Sequence, residues 1–107
     1  MPHCDLHYSA DLALEVEPLL ARIEAAILAQ DAEAGATKGR AYPAAVFHHT
    51  HLKVTIALLA KPHRDAAFVS ALQAALKETL APGLPRPCWL SIDIVFSTPF
   101  YVTEYLE

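Results

Sequence analysis

Long apolar runs are missing from this sequence: no uninterrupted stretch reaches the ~18 residues a helix needs to cross a bilayer. The opening Met1-Pro2-His3-Cys4-Asp5 also lacks the basic start of a secretory leader. Cysteine is scarce. Cys4 and Cys88 lie far apart with no CxxC spacing, which argues against a disulfide framework and for buried, reduced thiols in a cytoplasmic protein. Basic residues are few: eight Lys and Arg against twelve Asp and Glu give a net charge of −4. No Lys/Arg cluster exceeds a pair, so the electrostatic footprint of a nucleic-acid binder is absent. Glycine is limited to three residues. The sequence carries no phosphate-cradling Gly-rich loop, no nucleophile elbow and no paired carboxylates on one face.

What the sequence has in quantity is apolar residues, 54% of 107 against 19% charged. The length fits one domain, 1–107, which on folding hides roughly two-thirds of the unfolded surface. That apolar load is high for so small a core. A homo-oligomer that covers sheet or helix faces between subunits accommodates it.

Residues 3–8 read as a first strand bounded by Ser9. From Asp11 to Gln30, Leu12, Val16, Leu19, Leu20, Ile23 and Ile27 recur at helical spacing. Ser9 or Asp11 is the expected cap, and Pro18 either opens the main helix in its first turn or kinks it. Gly35, Gly39 and Pro43 break the period, leaving Ala44 to Phe47 as a short strand or hairpin arm. His51–Ala60 is the strongest strand: it alternates at first and then turns apolar on both sides, as a central strand does. Asp65 is placed to cap a second helix running to about Leu80, with Phe68, Val69, Leu72, Leu76 and Leu80 as its stripe. The proline-rich stretch 81–87 ends it, 88–97 is a further strand, and 100–106 is an aromatic tail forming an edge strand or an arm to a neighbour. The order β-α-β-β-α-β predicts an α+β fold: two βαβ units, one mixed sheet with two helices on one face. The other sheet face is expected to be apolar and covered by trimer packing.

Pro2 is the most informative position for chemistry. Methionine is normally trimmed before so small a residue, and a free N-terminal proline carries a secondary amine. Desolvation and nearby cations favour its neutral, basic form, and a neutral amine titrating near working pH is an effective proton shuttle. The histidines offer a rival, since on a strand His49 and His51 share a face and form a two-histidine corner. No carboxylate or cysteine lies close by in sequence, so no metal site is assigned. Trp89, Tyr42, Phe47, Phe100, Tyr101 and Tyr105 either line a pocket for a conjugated substrate or pack in a core or interface.

The opening Met1-Pro2-His3, the segment Gly35 to Arg40 (GATKGR), the run Leu52 to Asp65 (LKVTIALLAKPHRD) and the late strand Leu90 to Ile94 together resemble the tautomerase superfamily. Within it the chain is most similar to the 5-carboxymethyl-2-hydroxymuconate Δ-isomerase family, over essentially its full length. The resemblance implies a tautomerase-like homotrimer that needs no cofactor. Its activity would shift a proton in an unsaturated 2-hydroxy or 2-oxo dicarboxylate from aromatic-compound breakdown. By the same resemblance Pro2 is the base, while Arg40 and Arg64 hold substrate carboxylates and stabilise the dienolate, as guanidinium groups do. Lys38 departs from the family pattern, a point charge at the first of two basic positions in place of a bidentate clamp. Tyr42 is a further candidate substrate contact, and His3, His7 and Tyr42 are candidate general acids. The alternative is a non-catalytic trimer of the same fold that binds a small acid or a protein.

Overall fold

The computed structural model describes all 107 residues. Strand β1 (His3–Ser9) leads into helix α1 (Val16–Gln30), then β2 (Lys38–Ala44), β3 (His51–Leu59), helix α2 (Ala66–Leu80), a short 3₁₀ turn (Ala81–Gly83) and β4 (Trp89–Ser97). The four strands form one mixed sheet in the order β2-β1-β3-β4. β1 pairs β2 in parallel and β3 pairs β4 in parallel, while β1 and β3 meet antiparallel at the centre. Each parallel pair is joined through a helix, as a strand–crossover–strand unit must be.

Alternation sets the core. Cys4, Leu6 and Tyr8 of β1 and Leu52, Val54, Ile56 and Leu58 of β3 point to the helices, where Ile23 and Ile27 of α1 and Leu72 and Leu76 of α2 meet them. Most of these are fully buried, and each such aliphatic side chain contributes about 1.5–3 kcal/mol relative to exposure.

The sequence reading needs four corrections here. The second strand is not Ala44 to Phe47 but Lys38–Ala44, and it makes no hairpin with β3. Pro43 is tolerated because β2 is an edge strand with a partner on one side only. Neither Ser9 nor Asp11 caps α1; the helix starts after Glu15 with no side-chain cap. Pro18 falls in the first turn, where its missing N–H costs nothing. Asp11 accepts a hydrogen bond from the Thr50 hydroxyl, and Ser9 Oγ accepts one from the His51 N–H. The second sheet face is charged and polar across β1 and β2, with His3, Asp5, His7, Lys38 and Arg40, and mixed across β3 and β4, where Lys53 and Asp93 share it with Leu59, Trp89 and Val95. Much of the apolar surplus lies off the sheet. Twenty of the apolar residues are alanines, several of them exposed on the helices, and Val46, Trp89, Phe100, Val102, Tyr105 and Leu106 are largely exposed in loops, at the end of β4 and in the tail. Finally, Cys88 is only half-buried, whereas Cys4 is fully buried; both are free thiols.

The expected cap of α2 is present: the Asp65 carboxylate accepts from the Phe68 N–H at 2.9 Å, which satisfies one of the helix's open donors. No helix is long and apolar enough to cross a membrane.

Candidate functional site

Pro2 precedes β1 directly and is buried. Its carbonyl accepts the Lys38 N–H at 3.0 Å, so the parallel β1–β2 ladder continues back to the N-terminus and fixes Pro2 beside the start of β2. Met1 packs against Gly35: a Cβ at that glycine would come within 3.2 Å of Met1 Cε. Gly35 has φ of 76°, a conformation glycine reaches at little cost, and it turns the chain from α1 toward β2.

Cations gather at this end of the sheet. The terminal amine of Met1 has its pKa lowered, first by burial and then by the charges of Lys38, Arg64 and Lys61. The Lys38 ammonium is buried and has no hydrogen-bond partner. An unpaired buried ammonium is costly, and an anion beside it removes that cost.

The two arginines are engaged differently. Arg40 sits across from Asp5 in the β1–β2 register and its Nε donates to Asp5 Oδ1 at 2.6 Å. Arg40 Nη2 also donates to His3 Nδ1 at 3.0 Å. Arg64, with its side chain only 2% exposed, donates through Nε and Nη2 to Asp31 Oδ2 at 3.1 and 2.9 Å and through Nη1 to the Leu59 carbonyl at 2.8 Å. Three of its five N–H groups are thereby taken. Asp31 follows the last turn of α1 and also accepts from His63 at 2.9 Å. These bonds, that from His63 foremost and those from Arg64 next, hold its carboxyl at about 2 against the opposing effect of burial.

His3 joins the tail to this end of the sheet. Because Arg40 can only donate, His3 Nδ1 is the acceptor, and the neutral ring carries its proton on Nε2. That N–H donates to the Tyr101 hydroxyl at 2.9 Å, and the two rings meet edge to face at 5.8 Å. Tyr101 in turn donates to the Met1 carbonyl at 3.5 Å. Burial, then Lys38 and Arg40, lower the His3 pKa while Asp5 opposes them, which favours the neutral ring that this bonding pattern requires.

The structure therefore gathers Pro2, Lys38 and Arg64 around the N-terminus, with Arg40 one register step along, tied to His3 and Asp5. Tyr42 follows Arg40 on the same face of β2, one register step farther from the N-terminus, stacked on His7 with ring centroids 4.8 Å apart. His49 precedes β3 in a loop at φ of 65°, so it does not share a strand face with His51, and no group of three or more ligating side chains converges. Three surface cavities of about 250, 570 and 410 Å³ are lined by other residues. Pro2 itself lines none of them. Sequence reading missed Asp5, Asp31 and Tyr101 as partners. Asp5 was recoverable from its sharing a face with His3, but nothing local marks Tyr101, 98 residues from His3 in sequence.

No protein-family model and no curated protein matches this sequence. Solved structures do resemble it. One is a 5-carboxymethyl-2-hydroxymuconate isomerase from Deinococcus radiodurans R1, at 18% identity and TM-score 0.72, with 99% of this chain and 90% of that one covered. A second is a 5-carboxymethyl-2-hydroxymuconate delta-isomerase, at 19% identity and TM-score 0.67 over 98% and 88% of the two chains. FG41 malonate semialdehyde decarboxylase, inhibited by 3-bromopropiolate, aligns at 15% identity and TM-score 0.68 over 95% and 88%. These structures belong to the tautomerase superfamily. The chain has the fold of the tautomerase superfamily.

Proposed function

We propose that this chain is a cofactor-independent isomerase of the tautomerase type, acting in the cytoplasm as a homotrimer. Its substrate is an unsaturated 2-hydroxy or 2-oxo dicarboxylate of the 5-carboxymethyl-2-hydroxymuconate kind, an intermediate of aromatic-compound catabolism. Pro2 is the general base once Met1 is removed. The observation that carries this reading is the set of charges around the terminus: burial, Lys38, Arg64 and Lys61 all disfavour a protonated amine there.

Removal of Met1 turns the Pro2 nitrogen from an amide into a secondary amine and frees the space the methionine occupies. Held neutral by its surroundings, that amine takes a proton from carbon and returns it at another carbon of the conjugated system. Lys38, whose ammonium has no other partner, is the first anchor for a substrate carboxylate. Arg64 keeps two N–H groups unused and Arg40 is partly free, so both are available as supporting donors. The exposed apolar residues of the tail, Phe100, Val102, Tyr105 and Leu106, supply surface for a neighbouring subunit.

The experiment is a comparison of protein with and without Met1, identified by intact mass, in ketonisation of 2-hydroxymuconate followed by ultraviolet absorbance. Activity in the trimmed protein alone supports the reading. Trimmed protein that binds the acid without turning it over would leave the non-catalytic binding protein, a reading that the burial of Pro2 favours.

A further inference from the structure

A chain of hydrogen bonds runs from the sheet into the C-terminal tail and ends at the peptide bond that trimming would cut. Asp5 holds Arg40, Arg40 sets the His3 tautomer, and His3 Nε2–H donates to the Tyr101 oxygen. The Tyr101 oxygen thus already accepts one hydrogen bond, and its own proton has one acceptor, the Met1 carbonyl at 3.5 Å. That carbonyl carbon is bonded to the Pro2 nitrogen. When Met1 leaves, the acceptor leaves with it, and the Tyr101 O–H is left aimed at the volume directly beside the Pro2 amine. The tail is held for this: the Tyr101 N–H donates to the Thr98 carbonyl at 3.3 Å, and the Phe100 N–H donates to Thr98 Oγ1 at 3.3 Å.

We propose that Tyr101 is the hydrogen-bond donor to the substrate's C2 oxygen, opposite Pro2 as base, with His3, Arg40 and Asp5 as the residues that position it. The inference rests on the Pro2 reading above. In the reaction, the Pro2 nitrogen takes a proton from C3 of the 2-oxo acid, its C–H electron pair moving into the conjugated system as charge on the C2 oxygen, or, in ketonisation, takes the proton of the C2 hydroxyl and leaves the same charge there. The Tyr101 O–H donates to that oxygen while the charge is present. The protonated Pro2 then gives the proton to C5, the pair returns to carbon and the protein is unchanged. A donor aimed in advance at developing enolate charge acts on the transition state more than on the ground state. His3 strengthens it by donating to the tyrosine oxygen, which keeps that oxygen's proton pointed outward rather than toward the ring.

The test uses full-length, Met1-free protein and its Tyr101→Phe variant, a change that removes one exposed-side hydroxyl and no packing. Two readouts are taken: steady-state ketonisation of 2-hydroxymuconate, and alkylation of Pro2 by iodoacetate, a displacement that builds no charge on a C2 oxygen, followed by the mass of the N-terminal peptide. The expected result is a fall in kcat of about 100-fold in the variant, with KM within about threefold and the Pro2 alkylation rate unchanged. Wild-type turnover matched by Tyr101→Phe overturns the donor role and leaves the Pro2 reading standing. A variant that loses Pro2 alkylation together with turnover also overturns it, because the tyrosine then only maintains the site. Wild-type protein that alkylates at Pro2 no faster than a free peptide and has no turnover removes both readings.

Discussion

Replacing Asp31 by asparagine keeps the side chain's shape and removes the one carboxylate within ion-pair distance of Arg64, whose side chain is 2% exposed. The magnitude follows from the carboxyl's depressed pKa, about 2 against an ordinary 3.8. At 1.36 kcal/mol per pKa unit this corresponds to about 2 kcal/mol. Half of the His63 side chain is exposed, so solvent screens its share and the figure is an upper one. Removing one member of a buried pair outright typically costs about 3–5 kcal/mol, the range expected for Asp31→Ala, which leaves the Leu59 carbonyl as the one acceptor of Arg64. The sign is fixed by the direction of the shift. A folded-state pKa below the unfolded one gives stability that is complete above about pH 4 and lost as pH falls toward 2. Urea unfolding of wild type and Asp31→Asn, at one protein concentration because assembly shifts apparent stability, is expected to show a gap of about 2 kcal/mol at pH 7 that closes by pH 2. In a thermal scan the pH 7 gap corresponds to about 10 °C for a domain of this size. A pH 7 gap below about 0.5 kcal/mol, the range of ordinary surface changes, refutes the reasoning, as does a gap that persists unchanged at pH 2.

Other consequences are open to direct measurement. Cys4 is fully buried and burial pushes its thiol up to about 12, so alkylation in native conditions is expected at half-buried Cys88 alone, with Cys4 reacting only on unfolding; labelling of Cys4 at the Cys88 rate contradicts that packing. A Cβ at Gly39 would come within 2.7 Å of Leu20 Cδ2, so Gly39→Ala is expected to cost about 1–2 kcal/mol. Adding Leu20→Ala should then cost less than it does alone, and strict additivity in the double-mutant cycle argues against the contact. Lys38→Met removes the unpartnered ammonium beside the terminus and is expected to raise KM for 2-hydroxymuconate about tenfold or more, the scale of a lost charged contact; an unchanged KM assigns the carboxylate to Arg64 or Arg40.

Periodicity made the helices and the two strongest strands legible, because Ile23 and Ile27 or Val54 and Ile56 repeat at spacings that only one geometry buries on one side. The edge strand was not. Lys38–Ala44 contains Gly39 and Pro43, which weaken a strand signal, and its place depends on pairing with β1 rather than on its own composition. The start of α1 was misread for a related reason: Leu12 is buried like a helical residue but belongs to the turn that precedes Pro18. Within the site, Pro2, Lys38, Arg40 and Arg64 drew attention as residue types in a recognisable order. Asp31 drew none and Tyr101 stood only as one aromatic among six, because an ion pair or a tail contact across 33 to 98 residues leaves no trace in local spacing; Asp5 was open to recognition through the face it shares with His3. The charged β1–β2 half of the second sheet face was hidden by composition, since alanine counts as apolar yet sits on exposed helix positions at little cost.

Catalysis by Pro2 requires that its nitrogen be neutral and basic at neutral pH. The measurement that tests it most directly is the titration of that amine in Met1-free protein, by ¹⁵N NMR of the terminal proline or by the pH dependence of its alkylation. The account predicts a pKa below the ordinary α-amino range of about 7.7–8.0, rising when Lys38 is replaced by methionine. A value at or above that range, indifferent to Lys38, would contradict it.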